Sequence, residues 1–208
     1  MNSTVTIYHG SEKIIEKPVF GEGKKHNDFG PGFYCTENED LAKEWAVTKN
    51  RNGYVNKYSL NTECLNILYL NSEQYTILNW IATLVNNRVF TLNNPVTNRA
   101  RRYIIDNFSV NVNAYNAITI EQLSLAMKLG KLGEQIVLKS RLSFEQLSFV
   151  NYREAESELY YPLRKKRDED ANNYYLKILE KEEDGLYVQD IIRGGILNND
   201  PRIPRNIS

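Results

Sequence analysis

The sequence predicts an α+β domain in which short strands and helices are interspersed. Segments that alternate polar and apolar residues stand beside segments whose apolar residues recur at helical spacing. The two kinds do not follow one another as regular strand–helix–strand units, and neither the Rossmann nor the P-loop glycine pattern occurs. Both observations favour an α+β fold over a doubly wound parallel sheet.

Composition limits the classes of protein that this chain can represent. With 208 residues, of which 41% are hydrophobic, the chain can bury one sizeable core. Its formal net charge of zero argues against non-specific binding to nucleic acid or to a membrane surface. No apolar stretch approaches the ~20 residues that a membrane span needs. Two cysteines are too few for a disulfide scaffold, so we expect reduced thiols in a soluble, cytoplasmic protein.

The strands follow from alternation and the helices from an apolar stripe. Leu41, Ala42, Trp45 and Ala46, for example, share one helical face. The predicted strands are 4–8, 33–36, 54–60, 65–70, 135–139 and 147–152. The predicted helices are a short one within 12–25, then 37–50, 73–85, a helix bracketed by a capping box at 119–122 and by Gly130, a brief one opened by Ser143, and 162–183.

Two basic segments are predicted to be solvated. Residues 99–102 fit the exposed face of a helix, and residues 164–167 are followed at once by acidic residues 168–170, which predicts i,i+4 pairs on a surface helix.

Residues 1–156 are predicted to form the core, and residues 157–208 a C-terminal helix and tail packed on the same domain.

Three motifs together predict a dinucleotide site. The first strand ends on His9-Gly10-Ser11, a glycine turn opens the strand that carries Tyr34, and Glu134 opens a later strand. An aromatic face can hold the flat cationic nicotinamide ring of NAD, and a glycine permits close backbone approach. Neither the histidines nor the cysteines have the spacing of a metal site, so no metal is expected.

These motifs resemble those of the His-Tyr-Glu class of ADP-ribosyltransferases, which contains the poly-ADP-ribose polymerases and diphtheria-type toxins. Over nearly its whole length the chain is also similar to a bacterial family predicted to share that fold, through 28–36, Trp80, 87–88 and 126–135. The resemblance implies an ADP-ribosyltransferase-like fold, with two small packed sheets around an NAD cleft, flanking helices and a C-terminal helical annex.

The resemblance also implies roles for five residues in binding NAD. His9 would bond the adenosine ribose, Gly10 would hold the nicotinamide amide through its backbone, and Ser11 would assist nearby. Tyr34, placed by Gly32, would stack on the nicotinamide ring.

The catalytic position implied by the resemblance falls on Glu134 or Gln135. Neighbouring strand residues point to opposite faces, so only one of the two can enter the cleft. Glu134 is the better chemical choice, because a carboxylate stabilises the positive charge that develops on the ribose. Gln135 stays open, since shifting the alignment by one residue places it there, and a neutral amide would stabilise that charge poorly.

The implied reaction transfers ADP-ribose from NAD to a macromolecular acceptor, protein or nucleic acid, and releases nicotinamide. An NAD glycohydrolase and a non-enzymatic module that binds NAD or a partner are the alternatives. Relatives resemble toxins of toxin–antitoxin or phage-defence systems, which implies a neutralising antitoxin partner. One feature departs from the pattern: after Tyr115 the expected apolar strand and Gly-x-x-Ala-Asp-Asp loop are not evident.

Overall fold

Two small β-sheets form the framework of the computed structural model, which describes residues 4–23, 27–87, 95–121 and 134–179. The strands are β1 Thr4–Ser11, β2 Phe33–Cys35, β3 Gly53–Asn61, β4 Ile67–Tyr69, β5 Ala117–Glu121, β6 Glu134–Leu138 and β7 Leu147–Ala155. The helices are α1 Glu39–Ala46, α2 Ile77–Asn87, α3 Pro95–Phe108, α4 Arg141–Glu145 and α5 Ser157–Leu179. The predicted α+β class is therefore confirmed.

Sheet A has the strand order β1-β3-β7 and is antiparallel throughout. Sheet B has the order β2-β6-β5-β4, and only its β4–β5 pair is parallel. β1 and β2 are consequently edge strands of their sheets, and the two edges meet at one point, the bridge between Tyr8 and Thr36.

Each sheet buries one face against the other sheet and one against helices. Between the sheets lies an apolar cluster that includes Ile7 and Tyr58 from sheet A and Cys35, Ile136 and Leu138 from sheet B. The opposite face of sheet B packs against α2 and α3, whose buried residues include Trp80, Ile81 and Ile104. The opposite face of sheet A packs against α1 through Ala42 and Ala46. Side-chain alternation along each strand gives every sheet two buried faces and so produces four layers: α1, sheet A, sheet B, and α2 with α3.

Several predicted elements are corrected by the structure. The capping box at 119–122 is wrong for residues 119–121, which continue β5 because β4 and β6 flank this segment and pair with it. A strand therefore does follow Tyr115, at Ala117–Glu121, while residues 122–133, including Gly130, lie outside the described residues. Residues 12–23 form bends and turns rather than a helix. Residues 99–102, predicted to lie on an exposed helix face, belong to α3, whose bounds were not predicted.

The C-terminal helix begins five residues earlier than predicted and docks on α1. Ser157 opens α5, and Pro162 lies inside its N-terminal part. Arg167 forms a two-pronged ion pair with buried Glu44 of α1 at 2.6 and 2.7 Å, so the prediction of surface pairing is wrong for this residue. Lys165 and Glu169 do form the predicted i,i+4 pair, at 3.8 Å. In the described ranges every helix is too short or too polar to cross a bilayer.

Candidate functional site: the split between β1 and β2

Strands β1 and β2 touch at a single bridge and then separate. The amide of Tyr8 donates to the carbonyl oxygen of Thr36 at 2.7 Å, and the amide of Thr36 donates to the carbonyl of Tyr8 at 3.0 Å. An antiparallel ladder would continue with Gly10 opposite Tyr34, but among the described residues the pairing is confined to the one bridge. The two sheets therefore part at this point and leave a split between them.

The ring of His9 spans the split. Its Nδ1 lies 2.7 Å from the carbonyl oxygen of Tyr34, and its ring stacks on that of Phe33 with centroids 4.2 Å apart. A carbonyl oxygen can only accept, so Nδ1 carries the proton and Nε2 of the neutral ring is an acceptor. Burial lowers the pKa of His9 from its ordinary 6.5, more than the bond to Tyr34 raises it. The ring is thus held neutral with Nε2 available as an acceptor.

Gly10 has both a packing role and an exposed backbone edge. A Cβ on Gly10 would lie 1.9 Å from the carbonyl oxygen of Ala42, because α1 rests directly on this strand. Backbone groups of alternate strand residues point the same way, so the N–H and C=O of Gly10 face β2, as those of Tyr8 do. Since β2 has diverged there, these two groups line the split.

The Tyr34 side chain lies on the other face of β2 from the His9 ring. Phe33 and Cys35 face the cluster between the sheets, whereas the half-buried ring of Tyr34 packs against the cluster under α2 and α3. Its hydroxyl donates to the carbonyl of Gly30 at 2.7 Å and accepts from the amide of Phe29 at 3.0 Å. His9 is therefore contacted by the backbone of Tyr34 and not by its side chain. The Tyr34 ring is fixed in one orientation nearby.

The glycine turn before β2 is clamped by Lys139, which directly follows β6. Lys139 donates to the carbonyls of Phe29 at 2.6 Å and of Pro31 at 2.9 Å, and burial lowers the pKa of its ammonium group. Together with the Tyr34 hydroxyl, this lysine occupies three consecutive carbonyl oxygens of the turn. Gly32 is required by close packing, because its Cβ would lie 2.5 Å from Val137 Cγ1.

The chain after Gly10 is fixed by a fully buried asparagine on β3. Asn56 donates to the carbonyls of His9 at 3.3 Å and Lys13 at 3.1 Å, and accepts from the amide of Ile15 at 2.7 Å. Ser11 belongs to the same turn, since its hydroxyl donates to the Lys13 carbonyl and accepts from the Lys13 amide. The Ser11 hydroxyl is thus engaged within the chain.

Glu134 and Gln135 begin β6, the strand paired with β2. Ile136 and Leu138 face the layer between the sheets, and Val137 faces α2 and α3. Glu134 occupies the same alternate series of strand positions as Ile136 and Leu138. The Oε1 atom of Gln135 is buried and accepts no hydrogen bond from the described residues. Glu121 is the register partner of Glu134 on β5.

The structure brings His9, Gly10 and the Tyr34 backbone together at the split. Gly32 lies in the turn just before β2, and Glu134 and Gln135 lie on β6, the strand paired with β2. Sequence reasoning missed Phe33, Asn56 and Lys139. For Asn56 there was a usable signal, because it is a polar residue in the same alternate series of β3 as Tyr58 and Leu60. The role of Lys139 left no local signal. Within the described residues, no three of the His, Cys, Asp and Glu side chains are grouped so that they could hold a metal.

Comparison with known proteins shows the family of the chain but no individual relative. No curated protein and no solved structure matches it. A family model described as a protein of unknown function matches residues 5–149, a stretch that runs from β1 into β7 and contains every residue of the split. Because that match covers more than half of the chain, the protein belongs to the DUF3990 family.

Proposed function

We propose that this protein is an ADP-ribosyltransferase with an ADP-ribosyltransferase-like fold, which binds NAD at the split and transfers ADP-ribose to a macromolecular acceptor. The observation that carries the proposal is the interrupted pairing of β1 and β2, across which the His9 ring is held by the Tyr34 carbonyl. An interrupted ladder exposes backbone donors and acceptors at a fixed place, and such groups bind a polar ligand without rearrangement.

The groups at the split match the polar parts of NAD. The neutral His9 ring offers Nε2 as an acceptor for a ribose hydroxyl. The carboxamide of nicotinamide needs one acceptor and one donor, and the C=O and N–H of Gly10 supply both from one residue. This complementarity supports the roles that the sequence resemblance implies for both residues.

Tyr34 is proposed as the aromatic partner of the nicotinamide ring. Two backbone bonds to its hydroxyl hold the ring in one orientation, which lowers the entropy lost on stacking. Because the Tyr34 and His9 side chains occupy opposite faces of β2, the nicotinamide would pass over the free edge of this strand. Gly32 keeps the strand close to β6 and thus close to the proposed catalytic carboxylate.

Glu134 is proposed as the catalytic residue. Loss of neutral nicotinamide leaves positive charge on the ribose, and a carboxylate there stabilises the transition state. Ile136 and Leu138, which follow Glu134 at alternate positions of β6, face the layer between the sheets, where the His9 ring stacks on Phe33. Gln135 is the less suitable choice, since its amide is uncharged and its oxygen is already buried.

Nicotinamide release from NAD by the purified full-length chain, with cell lysate as acceptor, tests the proposal. Glu134→Ala should lower the rate by about a hundredfold or more, whereas Gln135→Ala and the control Glu63→Ala, at an exposed carboxylate, should stay near wild type. Labelled lysate components would identify a transferase, and free ADP-ribose without labelled acceptor would identify a glycohydrolase. Equal rates of nicotinamide release by wild type and Glu134→Ala would refute the proposed enzymatic activity.

A further inference from the structure

A pocket of about 340 Å3 opens between α5 and the turn that joins α1 to β3. It is lined by Thr48, Lys49, Tyr161, Arg164, Lys165 and Asp168. None of the residues assigned to the split is in this lining. The pocket volume falls within the lower part of the ~300–1,000 Å3 range of small-molecule sites. It is therefore large enough for a phosphate and part of the group that bears it.

The walls of the pocket are held by buried contacts that do not involve a ligand. Ser157 donates through Oγ to the carbonyl of Thr48 at 2.5 Å, and Arg164 donates through Nη1 to the carbonyl of Val47 at 2.9 Å. One turn further along α5, Arg167 is paired with Glu44 of α1. The backbone on both sides of the pocket is thus fixed, and binding would cost little rearrangement.

The charges in the lining are not neutralised by one another. Three cations, Lys49, Arg164 and Lys165, face one carboxylate, Asp168, in a chain whose formal net charge is zero. Within the described structure no ion pair joins any of the three cations to Asp168, and the carboxylate partner of Lys165 is Glu169, outside the lining, at 3.8 Å. The lining therefore carries a net charge of two positive units, which Glu169 beside Lys165 reduces to one, next to two hydroxyl groups.

We propose that this pocket binds a phosphoryl group. A phosphate dianion presents only acceptors, and the lining cations and the Thr48 and Tyr161 hydroxyls are donors. Free nucleotides and the backbone of a nucleic-acid strand both carry phosphoryl groups. The proposed site recognises the phosphoryl group and not a base. The proposal does not depend on NAD binding at the split.

Isothermal titration with pyrophosphate, against chloride at matched ionic strength, tests the proposal on the full chain. Lys49→Gln combined with Lys165→Gln should weaken pyrophosphate binding by about tenfold or more, because two charge-assisted bonds are lost. Lys13→Gln combined with Lys17→Gln removes the same charge from an exposed loop and should leave binding unchanged. Asp168→Asn should tighten binding, which a general loss of structure could not do.

Two further titrations distinguish the sources of the phosphoryl group. Adenosine monophosphate represents a free nucleotide, and a single-stranded oligonucleotide, titrated at several salt concentrations, represents a nucleic-acid backbone. Whichever probe loses affinity in the Lys49/Lys165 double variant and gains it in Asp168→Asn is the one the pocket takes. Pyrophosphate binding no tighter than chloride, or equal affinity in all variants, overturns the proposal whatever the result for nicotinamide release.

Discussion

His9 Nδ1 lies 2.7 Å from the carbonyl oxygen of Tyr34, and this side-chain bond stands where the backbone ladder between β1 and β2 has stopped. The His9 ring thereby bridges the split, and the bond to the Tyr34 carbonyl fixes the orientation of the ring. The bond accounts for the protonated nitrogen and the position of Nε2, and burial, which lowers the pKa of His9, accounts for the neutral ring.

Replacing His9 by alanine should lower the free energy of unfolding by about 1–3 kcal/mol, because the Tyr34 carbonyl loses its donor and Phe33 its stacked partner. Chemical denaturation measures the change, with Ser59→Ala on β3 as the control. The same variant should weaken NAD binding. Unchanged stability would show that the His9–Tyr34 bond contributes nothing to the fold.

The lowered pKa of His9 predicts a pH dependence of stability. Below pH 6.5 and above the folded-state pKa, the unfolded chain binds the proton more readily than the folded chain does. The free energy of unfolding should therefore fall as the pH drops through that window, and it should level off above pH 6.5. His9→Phe should remove this dependence and His26→Gln should retain it. A wild-type profile that rises on acidification would contradict the assignment.

Gly10→Ala should destabilise the protein by about 1–3 kcal/mol or more, because the added Cβ would overlap the Ala42 carbonyl oxygen at 1.9 Å. Helix α1 would have to move away from sheet A. Gly21→Ala is a useful control, since that Cβ meets nothing within 4 Å and only the positive φ of 89° is unfavourable. A thermal melt in which Gly10→Ala is as stable as wild type would show that α1 does not rest on this strand.

The clamp on the glycine turn predicts coupling between Lys139 and Tyr34. Lys139→Met and Tyr34→Phe should each cost about 1–3 kcal/mol, because the carbonyls of the turn, including those of the buried residues Phe29 and Gly30, lose their donors. In a double-mutant cycle the two changes should be non-additive by at least about 0.5 kcal/mol, since both side chains hold one turn. Lys139→Arg should restore part of the loss. Additive effects would mean that the two side chains act on separate structures.

The buried ion pair between α1 and α5 predicts a large loss when one partner is removed. Glu44→Gln should cost about 3 kcal/mol, because the Arg167 guanidinium would be left without its counter-charge. Glu169→Gln, at the exposed pair with Lys165, should cost less than about 1 kcal/mol. Similar losses in the two variants would indicate that α5 is not docked on α1.

Local patterns predicted much of the fold because strand alternation and helical stripes depend only on neighbouring residues. The strands at 33–36, 54–60 and 135–139 lie within one or two residues of those observed, and the opposite orientation of Cys35 and Tyr34 follows from alternation alone. The error at Thr119 has the same origin. A capping pattern is also local, and pairing with β4 and β6 overrode it.

The sequence by itself determined the residue types of the candidate site: a histidine and a glycine ending one strand, a tyrosine after a glycine turn and a carboxylate opening a later strand. Only the tertiary structure decided that β1 and β2 separate after one bridge and that Lys139, 108 residues beyond Pro31, clamps the turn. The reason is physical. Where a ladder stops, and which distant side chain satisfies a buried carbonyl, depend on how the sheets pack.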